Sequence, residues 1–280
     1  MIRRILTPLE RYLAYYPELT LKGTPEHVGL AYEDVWLETE DAHQVHAWWI
    51  PGPSRSLQPS QTWVLFHGNG GNISARLDGY RAIHKRIGAN ILTVDYRGFG
   101  LSSGKPTEQG TYADARAAVS EAVARHGSGA LVYFGISMGA AIAAKMATET
   151  PPSALILESP PSSFTDLAPV HFPWTRAIPR SVIMQFKYET HSHVAEANVP
   201  SLVVHGDSDS IVPMPYANRV FEAATGPKHL HVVEGGTHDR PDLVDEDRYY
   251  AVVTSFIEEF GTRWMNTDEA NGKDDLLAAD

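Results

Sequence analysis

Apolar residues fall along this chain in short runs at regular intervals. Eight runs are rich in β-branched and aromatic residues and bounded by Gly, Pro, Asn or Asp. They predict strands at Asp34 to Glu38, Gln44 to Ile50, Thr62 to Phe66, Asn90 to Asp95, Leu131 to Phe134, Ala154 to Leu157, Ser201 to Val204 and His229 to Val233. From the third onward the runs are nearly continuous, as in Val64-Leu65-Phe66, the pattern of parallel strands covered on both faces. The first two alternate more and predict an antiparallel edge. Between the strands, apolar positions recur at helical spacing over Ala75 to Ile87, Tyr112 to Arg125, Met138 to Thr148, Tyr216 to Ala224 and Leu243 to Trp264. This alternation predicts an α/β fold with a mostly parallel, eight-stranded, doubly wound sheet.

One interval breaks the rhythm. From Pro160 to His193 the chain carries Phe164, Phe172, Trp174, Ile178, Val182, Ile183, Met184 and Phe186 among several prolines, too long for a plain crossover and too short for a domain. It is expected to form a small helical cap over the carboxyl edge of the sheet, with sealing of the core as the competing reading. No internal repeat or second domain is evident, so residues 1–265 are expected to form a single domain. Residues 266–280 carry five acids against one Lys and predict a disordered tail.

Composition narrows the chemistry. The 280 residues hold 34 Asp+Glu against 23 Lys+Arg, a net charge of −11, which argues against a nucleic-acid partner. With no cysteine there is no disulfide framework, thiolate metal site or cysteine nucleophile. The basic start Met1-Ile-Arg-Arg is interrupted by Pro8, Glu10 and Arg11 before a signal-peptide core develops, and no segment reaches the roughly 20 apolar residues that span a bilayer. A cytoplasmic protein without a transmembrane segment is expected; peripheral contact of the amphipathic N-terminus with a membrane stays open.

The motifs favour a serine nucleophile. Gly135-Ile136-Ser137-Met138-Gly139 follows one strand directly and opens Ala140-Ala141-Ile142-Ala143-Ala144, a helix start of small residues. Such a turn strains its central residue and projects its side chain from the sheet, while the flanking glycines let backbones approach. Gly100-Leu101-Ser102-Ser103-Gly104 has the same pattern but runs into Lys105-Pro106, which cannot open a helix at once, so Ser102 reads as a loop residue.

A serine hydroxyl needs a histidine to take its proton and a carboxylate to hold that histidine's tautomer. Asp207 and Asp209 follow the next-to-last strand, and His238 follows the last. Asp209 is preferred because it sits farther round its turn and can face the histidine loop, leaving Asp207 to cap local amides. The oxyanion would be held by backbone N–H groups of Met138 and, in His67-Gly-Asn-Gly-Gly-Asn72, of Asn69, with Gly70 as its neighbour candidate. Position 73 is Ile where a dinucleotide loop needs glycine, and Gly104-Lys105 lacks the remaining residues of a phosphate loop. His191-x-His193, His229-x-His231 and His205-Gly-Asp207 lack the helical pairing of zinc sites, so no metal is expected.

Taken together, His67-Gly-Asn-Gly-Gly-Asn72, Asp95-Tyr-Arg-Gly-Phe-Gly100, Gly104 to Asp114, Gly135-Ile-Ser-Met-Gly139 and His205 to Pro213 resemble the α/β-hydrolase-fold serine hydrolases of the bud-emergence-protein-like branch, which includes eukaryotic protein depalmitoylases. The likeness runs from about Tyr16 to Trp264. It implies the α/β-hydrolase fold and a Ser-Asp-His hydrolase of esters or thioesters, acting without a cofactor through Ser137, Asp209 and His238. The chain lacks the cysteine-rich N-terminus of the depalmitoylases. The expected activity is carboxylesterase-like, on small-molecule esters of short to medium acyl length. Thioesterase or peptidase action with the same residues, and a catalytically silent binding protein, are the alternatives; a dehalogenase would need Asp where the turn has Ser137.

Overall fold

The structure, a computed structural model, describes residues 10–53, 61–127, 131–177 and 185–261. The acidic tail lies outside them, as do Ile178, Val182, Ile183 and Met184 of the 160–193 interval.

The strands, in chain order, are β1 (Tyr16–Pro17), β2 (Glu33–Glu38), β3 (Gln44–Ile50), β4 (Thr62–Phe66), β5 (Gly70–Gly71), β6 (Asn90–Val94), β7 (Leu131–Ile136), β8 (Ala154–Glu158), β9 (Ser201–Gly206) and β10 (Lys228–Val233). The helices are α1 (Leu77–Arg86), α2 (Glu108–His126), α3 (Met138–Glu149), α4 (Phe164–His171), α5 (Thr190–Ala197), α6 (Met214–Ala223) and α7 (Glu246–Phe256). Eight strands pair in the order β10-β9-β8-β7-β4-β6-β3-β2. Neighbours are parallel from β10 to β6, and β3 runs antiparallel to both β6 and β2. This is the mostly parallel, doubly wound sheet that the apolar runs predict.

Side chains on successive strand residues divide between two cores, one per face. Val64 and Phe66 of β4 pack with α2, α3, α5 and α6, while Trp63 and Leu65 pack with α1 and α7. Full burial of such side chains stabilises the fold by about 1.5–3 kcal/mol each. The edge strand β2 alternates exposed and buried, whereas β3, one place in, is buried from Val45 to Ile50. Its looser alternation in sequence reflects His46, whose buried ring bonds Asp34 at 2.7 Å.

Several boundaries differ from the periodicity, each for a local reason. The last helix starts at Glu246 rather than Leu243 because the Asp245 side chain caps it, accepting from Arg248 N–H, and Pro241–Leu243 forms a separate 3-10 turn. Ahead of α1, the segment Ile73–Arg76 winds as a 3-10 turn capped by Asn72. The periodicity gave no sign of α5, whose Val194 enters the core, of the 3-10 turn Pro25–Val28, or of the two-residue parallel pair of β1 with β5. Within the 160–193 interval, α4 and a 3-10 turn at Pro173–Ala177 are formed. Of the apolar residues described there, Phe186 joins the core while Trp174 is exposed.

Candidate active site

The carboxyl edge of the sheet gathers the candidate residues, since Ser137 follows β7, Asn69 follows β4, Asp209 follows β9 and His238 follows β10. Between β7 and α3 the chain reverses within one residue. Ser137 takes φ 54° and ψ −117°, a conformation that costs a non-glycine residue about 1–3 kcal/mol. The surroundings hold it there: its N–H donates to the Glu158 carbonyl at 2.9 Å, and its carbonyl accepts from Ala140 N–H. A Cβ on Gly139 would stand 1.9 Å from the Phe66 carbonyl oxygen, and one on Gly135 2.3 Å from that of Gly139. No side chain fits at either position, which is why helix and strand can meet so closely at this serine.

Ser102 is placed quite differently. It is buried, its hydroxyl donates to the Asp95 carbonyl at 2.7 Å and accepts from His46 N–H at 2.8 Å, and it serves as a loop staple.

The two acids of the β9 turn have separate tasks. Asp209 Oδ2 meets His238 Nδ1 at 2.7 Å, and its Oδ1 accepts from the N–H groups of Ile211 and Val212 at 2.9 and 2.8 Å. Asp207 Oδ1 instead accepts from Gly235 N–H at 2.8 Å and so ties the β9 and β10 turns together. Burial pushes the Asp209 carboxyl up, but the bonds from His238 and Val212 outweigh it and hold Asp209 below the usual carboxylate range. Asp209 is therefore ionised and bonds Nδ1–H of His238, which leaves Nε2 free to accept a proton. His205 lies on the other side of Asp209, with Nε2 at 3.6 Å from Oδ2 and 2.8 Å from the Val212 carbonyl. Burial lowers its pKa, so it stays neutral beside the acid.

The glycine-rich loop after β4 presses against the serine: a Cβ on Gly68 would lie 3.6 Å from Ser137 Cβ. The N-terminal segment anchors the loop. Asn69 Nδ2 donates to the Ala14 carbonyl at 2.9 Å, and the Asn69 carbonyl accepts from Tyr16 N–H at 2.8 Å. Met138 is the first residue of α3, where a backbone N–H has no acceptor within its own helix. Both amides thus belong to segments that border Ser137.

Two neighbours were not singled out from the sequence. Arg76 lies against the glycine-rich loop, and Glu158 ends β8 with its carboxylate buried and bonded to the Tyr249 hydroxyl. A lone acid closing the apolar run Ala154 to Leu157 was the available sign for Glu158. Burial pushes its pKa up to about 7 from an ordinary 4.5. The folded protein therefore keeps this proton where the unfolded chain has lost it, so the associated stability is present below 4.5 and is lost as pH rises through about 7. Urea unfolding of the wild type should show a decline on the order of 3 kcal/mol across that window that is missing in Glu158→Gln. Parallel profiles would refute it.

Among the described residues no group of three or more His, Asp or Glu side chains converges as a metal site. His191 Nδ1 is bonded to the Ser162 carbonyl at 2.8 Å. No described helix is long and apolar enough to cross a membrane.

Comparison with known proteins agrees on the architecture. Residues 58–188 match the family described as "Serine aminopeptidase, S33". An uncharacterized protein of Mycobacterium tuberculosis is 34% identical over 252 residues, covering 89% of this chain and 88% of that one. The Arabidopsis thaliana alpha/beta hydrolase domain-containing protein WAV2 is 30% identical, covering 94% and 92%, and protein bem46 of Schizosaccharomyces pombe is 30% identical, covering 84% and 80%. Among solved structures, an esterase of Pyrococcus furiosus superposes with a TM-score of 0.72 at 20% identity over 88% of this chain and 98% of its own. That last likeness is one of fold.

Proposed function

Because the chain belongs to the α/β hydrolases of the bem46-like branch, we propose that it is a serine hydrolase cleaving carboxylic esters of short to medium acyl length through an acyl-enzyme intermediate. One observation carries the reading: an enclosed carboxylate, Asp209, meets Nδ1 of His238 at 2.7 Å on the sheet edge where Ser137 occupies its strained turn. In this mechanism His238 Nε2 takes the Ser137 proton as Oγ attacks the acyl carbonyl. The N–H groups of Asn69 and Met138 hold the oxyanion. His238 then returns the proton to the leaving alcohol, and water repeats the sequence to release the acid. Asp209 stays ionised throughout and stabilises the imidazolium. Residues 1–265 act as one catalytic domain in this reading, with α4 and the Pro173–Ala177 turn of the 160–193 insertion lying toward the acyl side.

Nitrophenyl esters from acetate to dodecanoate test the chain-length range. Turnover should peak at short or medium chains and fall toward dodecanoate. Thioesters and aminoacyl anilides, run alongside, address the alternative that the same residues cleave thioesters or peptides. Faster cleavage of the anilides would replace the esterase reading with a peptidase one.

A further inference from the structure

Arg76 is the cation of this region that has no acid. Arg81 pairs with Asp78, Arg97 with Asp41 and Asp114, and Arg240 with Asp242. Among the described residues Arg76 makes no ion pair, although the chain carries an excess of 11 negative charges. Its Nη2 lies 3.4 Å from the Gly70 carbonyl, and its Nε is enclosed without an acceptor. An enclosed donor of this kind costs about 1–3 kcal/mol unless something supplies the bond. Nη2 is also 3.8 Å from the point that a Cβ on Gly68 would occupy, and Ser137 Cβ is 3.6 Å from the same point. The unpaired charge and the serine thus both flank Gly68.

A cavity of about 50 Å³ opens along this side chain, walled by Arg76, His67, Ile136, Glu158, Arg240 and Asp242 among mostly apolar and aromatic residues. That exceeds the roughly 10–15 Å³ a single water needs, so a small polar group has room. Ile136 precedes Ser137, and the Glu158 carbonyl holds the serine N–H, so two residues of the cavity wall adjoin the serine turn. His67 Nε2, buried in its wall, has no hydrogen-bond partner and only a 3.5 Å contact with Asp95. The wall charges do not cancel. Arg240 and Asp242 neutralise each other through two bonds of 2.8 Å, and Glu158, raised to about 7 by burial, is largely protonated in mildly acidic solution. The charge of Arg76 remains, in apolar surroundings that strengthen it.

We propose that Arg76 binds a carboxylate on the substrate, which makes acidic esters, those with a free carboxylate a few bonds from the scissile carbonyl, the preferred class. The inference rests on the esterase reading and narrows it. Arg76 acts here on specificity, through the planar fork its guanidinium offers to a carboxylate.

The test compares the mono-4-nitrophenyl ester of adipic acid with 4-nitrophenyl hexanoate, equal in acyl length but uncharged. Wild type should favour the adipate ester in kcat/KM by about tenfold or more, mainly through KM, the effect of one charge-assisted hydrogen bond. Free adipate should also inhibit hexanoate hydrolysis competitively. Arg76→Gln should erase the preference and the inhibition, Arg76→Lys should restore part of both, and Arg81→Gln, outside the cavity, should change neither. Hexanoate turnover without an adipate preference in wild type overturns this proposal and leaves the esterase reading standing, and so does a preference that survives in Arg76→Gln. Turnover of neither ester removes both. If Arg76→Gln folds poorly, Arg76→Lys and the wild-type comparison still test the proposal, since a wild type without adipate preference or a lysine variant with the full preference overturns it.

Discussion

Ser137→Ala should abolish ester hydrolysis and labelling by a fluorophosphonate probe while the protein keeps its circular dichroism and melting transition. Loss of a serine nucleophile removes the attacking oxygen, and the fall in kcat can reach about six orders of magnitude, the oxyanion donors and binding supplying what remains. Alanine suffers the same backbone strain at φ 54° as serine, so stability should change little. Ser102→Ala is the contrasting experiment. That hydroxyl bonds the Asp95 carbonyl and His46 N–H inside the protein, so its removal should cost about 1–3 kcal/mol of stability and leave labelling intact. Labelling that survives Ser137→Ala but vanishes in Ser102→Ala would transfer the nucleophile to the wrong loop and end the proposed mechanism.

Asp209→Asn should lower kcat by about four orders of magnitude with the fold preserved. The amide oxygen can still accept from Ile211 and Val212, which keeps the turn, but the NH2 group now faces His238 Nδ1. The imidazole must then carry its proton on Nε2, where it can no longer accept one from Ser137. Asp207→Asn retains an acceptor for Gly235 N–H and should cost less than about tenfold, because Asp207 only braces the turns. Steady-state kinetics of the two variants, supported by melting curves, separate the acids. Equal losses in both would mean that the turn geometry, and not the histidine tautomer, is what Asp209 supplies. Since Asp209 is held below the usual carboxylate range, its own titration should not limit activity in mildly acid solution.

The sheet was legible because burial on two faces leaves a direct trace. A strand covered on both sides must be apolar at consecutive positions, and β3, β4 and β9 differ little from their expected spans. The helix around Val194 left a weaker trace, since it is short and carries His191 and His193 in its first turn. The N-terminal pairing with Gly70 and Gly71 left none, because two-residue ladders are main-chain contacts between segments more than fifty positions apart.

The local turn at Ser137 was set by the sequence itself. A strand, a serine between glycines and a helix of small residues have few ways to join, and the close approach of Gly139 to Phe66 admits only one residue type. Which acid meets His238, by contrast, was decided by the folded chain. Asp207 and Asp209 share one turn and one chemistry, and differ only in which way the backbone aims them once β9 and β10 lie side by side. The proton held by Glu158 and the isolation of the Arg76 charge belong to the same category. Each depends on desolvation and on which groups stand nearby, and those are properties of a packed environment that no single stretch of residues encodes.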